Sequence, residues 1–424
     1  MKTSLIPATV LENLEDVNHV FLASTYGGLK LSESHDNFEV LCKEKVVGVE
    51  EGVFVPEEWE GLSIGNKTRL AEVLSLDNLG RWDFNILDVV EYGDVSLVLV
   101  LVGWAIIASP ASQKVMAASL GREFDEKEWE GYNFASSLGI DYKTLVCFLR
   151  SLEAQYSTTQ KYHNNVHAAD VLQTLHSMMR MGAAELSGLA TIDIYSMLLA
   201  AAAHDVGHPG TNNLYQINAQ TNLAIVYNDK SPLENMHCSK ASKLMKSMGL
   251  LDNFSGEQRS LVRSRMIDAI LATDMTHHFS AVESISQHIE FICQFEDDGV
   301  TWHDFVQTED SSDTITDIMN YMIHLADISN PAKTLPLAIY WAEGALAEFF
   351  FQGDLERSSN LPISPLCDRE NTNLATSQRD FIRYVVLPSF EVLGKIIPGV
   401  VDEVLPMIKK NLAYWESLCQ RNTV

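Results

Sequence analysis

Basic residues are scarce in this chain and form no run. Its 424 residues contain 30 Lys and Arg against 57 Asp and Glu, which gives a formal net charge of −27 at pH 7. A protein that binds nucleic acid or an anionic membrane surface needs a patch of positive charge. The sequence therefore predicts no nucleic acid partner, and an anionic ligand would need local neutralisation, which bound divalent metals could supply.

Closely spaced cysteine pairs and long hydrophobic runs are also absent. The six cysteines include no CxxC pair, a pattern typical of reduced thiols rather than of a disulfide framework. The most apolar run, residues 97–108, is interrupted by Gly103 and is too short to span a bilayer. We therefore predict a buried core helix there, no transmembrane segment in this chain and a cytoplasmic location.

Alternating strand patterns are missing, whereas helical periodicity dominates from Trp82 onward. We predict an all-α, compact multi-helix domain over residues 81–424, preceded by a mixed N-terminal extension or regulatory stub over residues 1–80. The predicted helices cover residues 142–156, 169–181, 192–204, 219–227, 239–248, 256–273, 338–351 and 401–419.

Two short patches of histidine and aspartate stand out in otherwise apolar, Ala-rich sequence. The first, YHNNVHAAD, places His163 and His167 four residues apart; the second, AHDVGHPG, repeats that spacing with His204 and His208. This spacing predicts that His163 and His167 share one face of a helix. In the second patch, Gly207 and Pro209 indicate that the helix ends there. A lone buried histidine is usually a core residue, but burying two such clusters without a partner would be costly. Imidazoles and carboxylates without cysteine favour zinc, magnesium or manganese.

A single carboxylate further along completes the set. Asp327 lies in the apolar run IHLADISNP, which the Asn-Pro pair stops. An isolated aspartate in such a run is usually a helix cap or turn residue. Beside the two upstream patches, it is better interpreted as a ligand of the same metal. Together, His167, His204, Asp205 and Asp327 would supply two neutral nitrogens and two carboxylate oxygens, leaving room for water.

With these residues the chain resembles the class I 3′,5′-cyclic nucleotide phosphodiesterases, which are HD-type metal-dependent phosphohydrolases. Five of the family's motifs occur in order over about residues 80–424: YHNxxHAxD, HDxxHPG, LATD, ADISNP and SQxxF. The resemblance implies a helical catalytic domain that hydrolyses the cyclic phosphodiester of cAMP, cGMP or both. The product would be the nucleoside 5′-monophosphate, and cyclic nucleotide signalling would end.

The resemblance also implies two divalent metals. Zinc would occupy the tighter site formed by the four residues above, and magnesium or manganese a second site that Asp205 bridges to the first. Two such metals can share one water, and the bridging hydroxide would be the nucleophile. Three residues match the positions that orient the waters of the second metal in the family: His208, Glu234 and Thr273.

Further matches assign the remaining roles. His163 matches the general acid that protonates the leaving ribose O3′, a task suited to a group that titrates near working pH. Gln378 and Phe381 match the glutamine that binds the purine and the phenylalanine that stacks on it, and Tyr162 and Asn330 complete the substrate-binding set. The run Asn330-Pro331-Ala332-Lys333 slightly favours cAMP. However, an amide can flip, and the small residues Ala338, Ala342, Gly344 and Ala345 suggest a roomier pocket that takes both nucleotides.

Two alternatives remain open at this point. Another HD-type nucleotide phosphohydrolase would share the metal ligands but would not need His163 or the SQxxF pair. A catalytically silent cyclic nucleotide-binding module could keep Gln378 and Phe381 while losing ligands, yet every ligand position is intact. The sequence does not decide whether the protein is a homodimer or part of a longer signalling protein.

Overall fold

The computed structural model describes residues 55–125, 131–293, 302, 306 and 312–421, and these residues form helices and no strand. The predicted all-α fold is confirmed. The first helices are α1 (Glu57–Glu60), α2 (Ile64–Val73), α3 (Leu76–Leu79), α4 (Ile86–Tyr92), α5 (Val98–Ile107), α6 (Ala111–Ser119), α7 (Phe134–Leu138) and α8 (Tyr142–Glu153).

The remaining helices follow in chain order. They are α9 (Asn165–Met178), α10 (Ala184–Leu186), α11 (Thr191–Ala203), α12 (Asn213–Asn218), α13 (Asn222–Val226), α14 (Pro232–Met248), α15 (Gly256–Leu271), α16 (His278–Cys293), α17 (Ser312–Asp327), α18 (Leu335–Ser358), α19 (Leu374–Phe381), α20 (Leu387–Leu393) and α21 (Leu405–Arg421). Short 3-10 turns cover Val95–Leu97, Met275–His277 and Asn330–Ala332, and π-helical turns cover Met179–Ala183, Ile382–Val386 and Val400–Val404.

Helix α5 lies at the centre of the core, as its apolar sequence predicts. Every residue of α5 is buried. The carboxylate of Glu153, at the end of α8, accepts hydrogen bonds from the backbone N–H groups of Leu99 and Val100 at 2.9 and 3.0 Å. It also accepts from Asn165 Nδ2 at 2.6 Å. One buried side chain thus satisfies the free N–H groups at the start of α5 and connects α5, α8 and α9.

Within the described ranges, no single helix is long and apolar enough to cross a membrane. Only the bent pair Ile86–Tyr92 and Val95–Ile107, which turns by 117°, has the required length and composition. The second member of that pair includes α5, which is buried inside the protein.

The first helices pack into the same core as the rest of the chain. Trp59 of α1 is buried, with its ring centroid 5.5 Å from that of Trp104 in α5. Trp82, after α3, is also buried and donates a hydrogen bond to the Ala332 carbonyl at 2.8 Å. Residues 55–80 therefore contribute to the core, and the domain boundary near residue 80 stays a prediction. Residues 1–54 of the predicted extension lie outside the described residues.

Two predicted features of local structure are wrong. Residues 219–227 do not form one helix, because the chain turns between α12 and α13 at Gln220, which has φ 49°. The expectation of reduced thiols holds for Cys238, Cys367 and Cys419, which are free. It is wrong for Cys147 of α8, which is disulfide-bonded.

Candidate metal centre

Four predicted metal ligands come together at the ends of three helices. His167 lies in the first turn of α9, Asp327 is the last residue of α17, and His204 and Asp205 directly follow α11. Both histidines are fully buried and Asp205 is 9% exposed. Helices that converge from distant parts of the sequence thus bring the ligand types that spacing predicted into one cluster.

His163 and His167 do not share a helix face in the predicted way. Helix α9 begins only at Asn165, because Asn164 is its N-cap and accepts hydrogen bonds from the backbone N–H groups of Val166 and His167. His163 therefore lies before the helix. Helix α11 ends at Ala203, which places His208 beyond it. The shared helix face is wrong for His163 and His167, whereas the end of α11 at Ala203 agrees with a helix that stops within the second patch.

The donor atoms of the four ligands face one another at short range. His167 Nε2 lies 3.0 Å from Asp327 Oδ1. His204 Nε2 lies 3.1 Å from Asp205 Oδ2 and 3.3 Å from Asp327 Oδ1. One ligand atom from each residue lies within 4.8 Å of the other three. These separations leave a space at the centre of the cluster that an ion could share.

The chemistry of these atoms fits a bound cation. His204 Nδ1 lies 2.9 Å from the Ala201 carbonyl, so this nitrogen carries a proton, and Nε2 is the nitrogen available to a metal or a second proton. His204 Nε2 is buried and has no hydrogen-bond partner. It faces the carboxylate oxygens of Asp205 and Asp327, which are also acceptors. Acceptors packed against acceptors are unfavourable unless a cation lies between them, and this donor set suits zinc or a similar divalent metal.

The electrostatics of His204 point the same way. Burial alone would lower its pKa, but the nearby carboxylates of Asp205 and Asp327 outweigh burial and raise the pKa well above its usual value. This part of the chain therefore stabilises positive charge strongly, in a protein that is acidic overall.

A second cluster of ionisable groups lies beside the first. His163 Nδ1 contacts Glu348 Oε1, and Glu348 Oε2 accepts the backbone N–H groups of Tyr162 and His163, both at 3.2 Å. The His208 ring stacks on His163 with centroids 3.8 Å apart. Burial lowers the pKa of His163, but Glu348 outweighs it and the pKa rises to about 9. Ligand atoms of His163, His208 and Glu348 also lie within 4.8 Å of one another, so this group could itself hold a metal.

Two residues predicted to lie around the second metal are buried nearby. Glu234 of α14 accepts hydrogen bonds from Asn213 Nδ2 at 2.8 and 3.1 Å, and burial raises its pKa to about 7. Thr273 follows α15 and donates its hydroxyl to the Ile270 carbonyl at 2.8 Å. Neither contacts the four-ligand cluster directly in the described part of the chain, so their roles stay predictions.

Tyr162 and Asn330 meet beside the metal ligands. The Tyr162 hydroxyl donates to Asn330 Oδ1, and the Tyr162 ring lies 4.6 Å from the ring of His167. Gln378 and Phe381 are half-buried on α19. The Gln378 side-chain amide makes no hydrogen bond to a described residue.

Comparison with known proteins gives a consistent result. The sequence profile of the family described as 3′5′-cyclic nucleotide phosphodiesterase matches residues 162–407. That range begins at Tyr162 and includes both clusters. The chain belongs to this family.

Individual relatives support the assignment. The chain is 34% identical over 313 residues to the 3′,5′-cyclic-AMP phosphodiesterase 4C of Mus musculus, covering 73% of this chain and 44% of the relative. It is 35% identical over 286 residues to a 3′,5′-cyclic-AMP phosphodiesterase (isoform F) of Drosophila melanogaster, covering 67% and 42%. The chain thus spans less than half the length of these two relatives.

The fold matches as well. The phosphodiesterase domain of the Salpingoeca rosetta rhodopsin phosphodiesterase superposes with a TM-score of 0.67 at 27% identity. The match covers 83% of this chain and 95% of that domain.

Two residues of this phosphodiesterase-family site were missed from the sequence. Glu348 holds His163, yet it lies 185 residues further along the chain, in a helix with no histidine to mark it. His237 points Nε2 at Asp205 Oδ1 from 3.7 Å, while its Nδ1 lies 2.9 Å from the Val206 carbonyl. The spacing of His237 three residues after Glu234 was the available signal.

One of the small residues of α18 has a structural explanation. A Cβ at Gly344 would lie 2.7 Å from the Lys161 carbonyl oxygen, so this glycine allows the segment before His163 to approach the helix. Ala338 and Ala342 are 1% and 4% exposed. Gly344 therefore serves close packing, and the expectation of a roomier pocket stays a prediction.

Proposed function

We propose that this chain hydrolyses the 3′,5′-cyclic phosphodiester of cAMP, cGMP or both to the nucleoside 5′-monophosphate. The observation that carries the proposal is the adjacency of two clusters with different chemistry. One is the set of His167, His204, Asp205 and Asp327, whose facing nitrogen and oxygen atoms favour a bound cation. The other is the His163–Glu348 pair, whose histidine ring lies 6.1 Å from the ring of His167.

The first cluster would hold the tighter metal, which we propose to be zinc. Asp205 would bridge to magnesium or manganese, with His208, Glu234 and Thr273 around that second metal. When bound, two such metals activate water and neutralise charge on the phosphoryl oxygens. The protein's own contribution here is to keep the ligand atoms buried and converging, so that the metals occupy fixed positions.

His163 would supply the proton for the leaving O3′. Its Nδ1 contacts the Glu348 carboxylate, which leaves Nε2 as the nitrogen that can carry a transferable proton. Glu348 Oε2 also accepts hydrogen bonds from the backbone N–H groups of Tyr162 and His163, so the His163 ring has a defined position. A positioned acid of this kind contributes about 10²–10⁴-fold to the rate.

Purine binding is assigned to residues outside the two clusters. Gln378 and Phe381 would bind and stack on the base, and Tyr162 and Asn330 would line the pocket. The named relatives act on cAMP, which agrees with the slight preference for cAMP that we infer from the residues after Asp327. A cytoplasmic location is likewise part of this proposal.

The experiment is to measure product formation from cAMP and cGMP side by side, over a range of concentrations, with magnesium or manganese. The proposal predicts turnover of at least one nucleotide that a chelator stops and added metal restores. Metal analysis of the same preparation must show that the protein is loaded.

The alternatives give different results. An HD-type nucleotidase would leave cyclic nucleotides intact and release phosphate from nucleoside mono- or triphosphates. A silent module would bind cAMP or cGMP, as calorimetry would detect, without forming product. Absence of turnover in metal-loaded protein would refute the proposal.

A further inference from the structure

A buried lysine lies directly behind Asn330. The Lys333 side chain is fully buried, with Nζ 3.8 Å from Asp170 Oδ1 and 3.3 Å from Gln173 Oε1. Nζ also lies 4.8 Å from the centroid of the Trp82 ring. Asp170 is fully buried too, so water does not screen the pair. Buried ion pairs are costly to desolvate and add little stability, which suggests that this pair has another role.

The other oxygen of Asp170 orients the amide of Asn330. Asn330 Nδ2 donates to Asp170 Oδ2 at 3.3 Å, and Asn330 Oδ1 accepts from the Tyr162 hydroxyl. An ionised carboxylate can only accept, so it selects the NH₂ end of the amide and turns the amide oxygen toward Tyr162. Asn330 is 5% exposed, so water offers little competition for these bonds.

Asp170 therefore faces a donor on each side. Its Oδ1 pairs with the Lys333 ammonium and its Oδ2 accepts from Asn330, which in turn accepts from the Tyr162 hydroxyl. The ammonium group can only donate, and its presence keeps Asp170 an acceptor. Asp170 fixes Asn330, and Asn330 fixes the Tyr162 hydroxyl as a donor. Reversing the Asn330 amide would place its oxygen against the Asp170 carboxylate and would turn the Tyr162 hydroxyl from a donor into an acceptor.

We propose that Lys333 and Asp170 are positioning residues that lock the Asn330 amide and thereby set which purine the site prefers. The inference rests on the proposed function and on Asn330 facing the base. Adenine offers a donor at N6 and an acceptor at N1, whereas guanine offers an acceptor at O6 and a donor at N1. A locked amide and hydroxyl can distinguish these patterns, whereas a rotating amide accepts both.

The decisive variant is Asp170→Asn. The new amide must turn its oxygen to Lys333, because the ammonium only donates, and so it turns its NH₂ to Asn330. Asn330 must then present its oxygen to position 170 and reverse its orientation toward Tyr162. We expect the ratio of kcat/KM for cAMP over cGMP to change by about tenfold, the effect of one hydrogen bond, at unchanged metal content.

Two further variants separate positioning from stability. Ser177→Ala removes a buried hydrogen bond from the same helix, where Ser177 Oγ donates to the Gly80 carbonyl at 3.0 Å. It should lower Tm without changing the nucleotide ratio. The double variant Asp170→Asn/Asn330→Asp again places an acceptor opposite the Tyr162 hydroxyl, and its ratio should return toward that of the wild type.

Each result has a defined meaning. A wild-type protein that turns over neither nucleotide would refute the proposed function itself. If the wild type is active and the cAMP/cGMP ratio of Asp170→Asn stays within twofold of the wild-type ratio at full metal content, only the positioning role of Lys333 and Asp170 is refuted. If Asp170→Asn does not fold, Lys333→Met takes its place, because it removes the cation that faces Asp170 Oδ1. Its ratio should approach one, and an unchanged ratio would overturn the inference.

Discussion

The close approach of Gly344 to the Lys161 carbonyl gives a quantitative prediction. In Gly344→Ala the new Cβ would lie 2.7 Å from the Lys161 oxygen. Carbon–oxygen contacts are normally about 3.3 Å or longer, so helix α18 and this carbonyl must separate by about 0.6 Å. The neighbour is backbone, which cannot rotate away as a side chain would.

The displacement should affect His163 more than it affects stability. Lys161 lies two residues before His163, and Glu348, one turn after Gly344 on α18, binds the backbone N–H groups of Tyr162 and His163. A misplacement of about 1 Å can reduce the rate of an enzyme about 10²-fold, so we expect kcat to fall by about 10- to 100-fold. Overpacking costs about 1–3 kcal/mol, offset by about 1 kcal/mol from replacing a helical glycine.

The assay measures kcat, Tm and metal content of Gly344→Ala and compares them with those of the control variant Gly65→Ala. Gly65 lies in α2, and a Cβ there would meet nothing within 4 Å. The control should keep the kcat of the wild type, with Tm equal or slightly higher. If Gly344→Ala folds and its kcat stays within twofold of wild type, the coupling of this contact to His163 is wrong.

Three other outcomes are expected. Asp327→Ala should abolish turnover and release metal, and substantial activity with full metal content would contradict the ligand assignment. His163→Ala should retain metal but lose about 10²–10⁴-fold in kcat; a fall in metal content would instead make His163 a ligand, together with His208 and Glu348. Burial raises the pKa of Glu153 from 4.5 to about 8, so its stabilising contribution is complete below about pH 4.5 and is lost as the pH rises through 8. The Tm of Glu153→Gln should therefore rise relative to that of wild type between pH 5 and pH 8, and a constant difference would exclude this linkage.

The fold class and the four-ligand cluster could be predicted from the sequence because both depend on strong, local patterns. Long apolar helices such as α5 leave few other ways to bury their side chains. Histidines and aspartates in Ala-rich segments, such as His204 and Asp205, indicate ligands because their burial requires compensation.

Helix ends and long-range partners were the less predictable part. Asn164 is a good N-cap, and that signal could have shown that His163 lies outside α9. No local pattern could have connected Glu348 with His163, since only the packing of α18 against the segment before α9 brings them together. The disulfide at Cys147 was likewise invisible in the spacing of the cysteines.

The predicted metal ligands and Gln378 lie in different environments. His167 and His204 are completely enclosed by the ends of packed helices, where fraying would expose core residues and is therefore suppressed. Gln378, by contrast, is half-buried on an eight-residue helix, and its amide is not held by any described residue. Under the proposed function, the part of the site that holds the metals would thus be rigid and would tolerate little sequence change. Under the same proposal, the Gln378 side of base recognition could adapt while the buried Asn330 side stays fixed, so new ligand preferences could arise at Gln378 without disturbing the reaction.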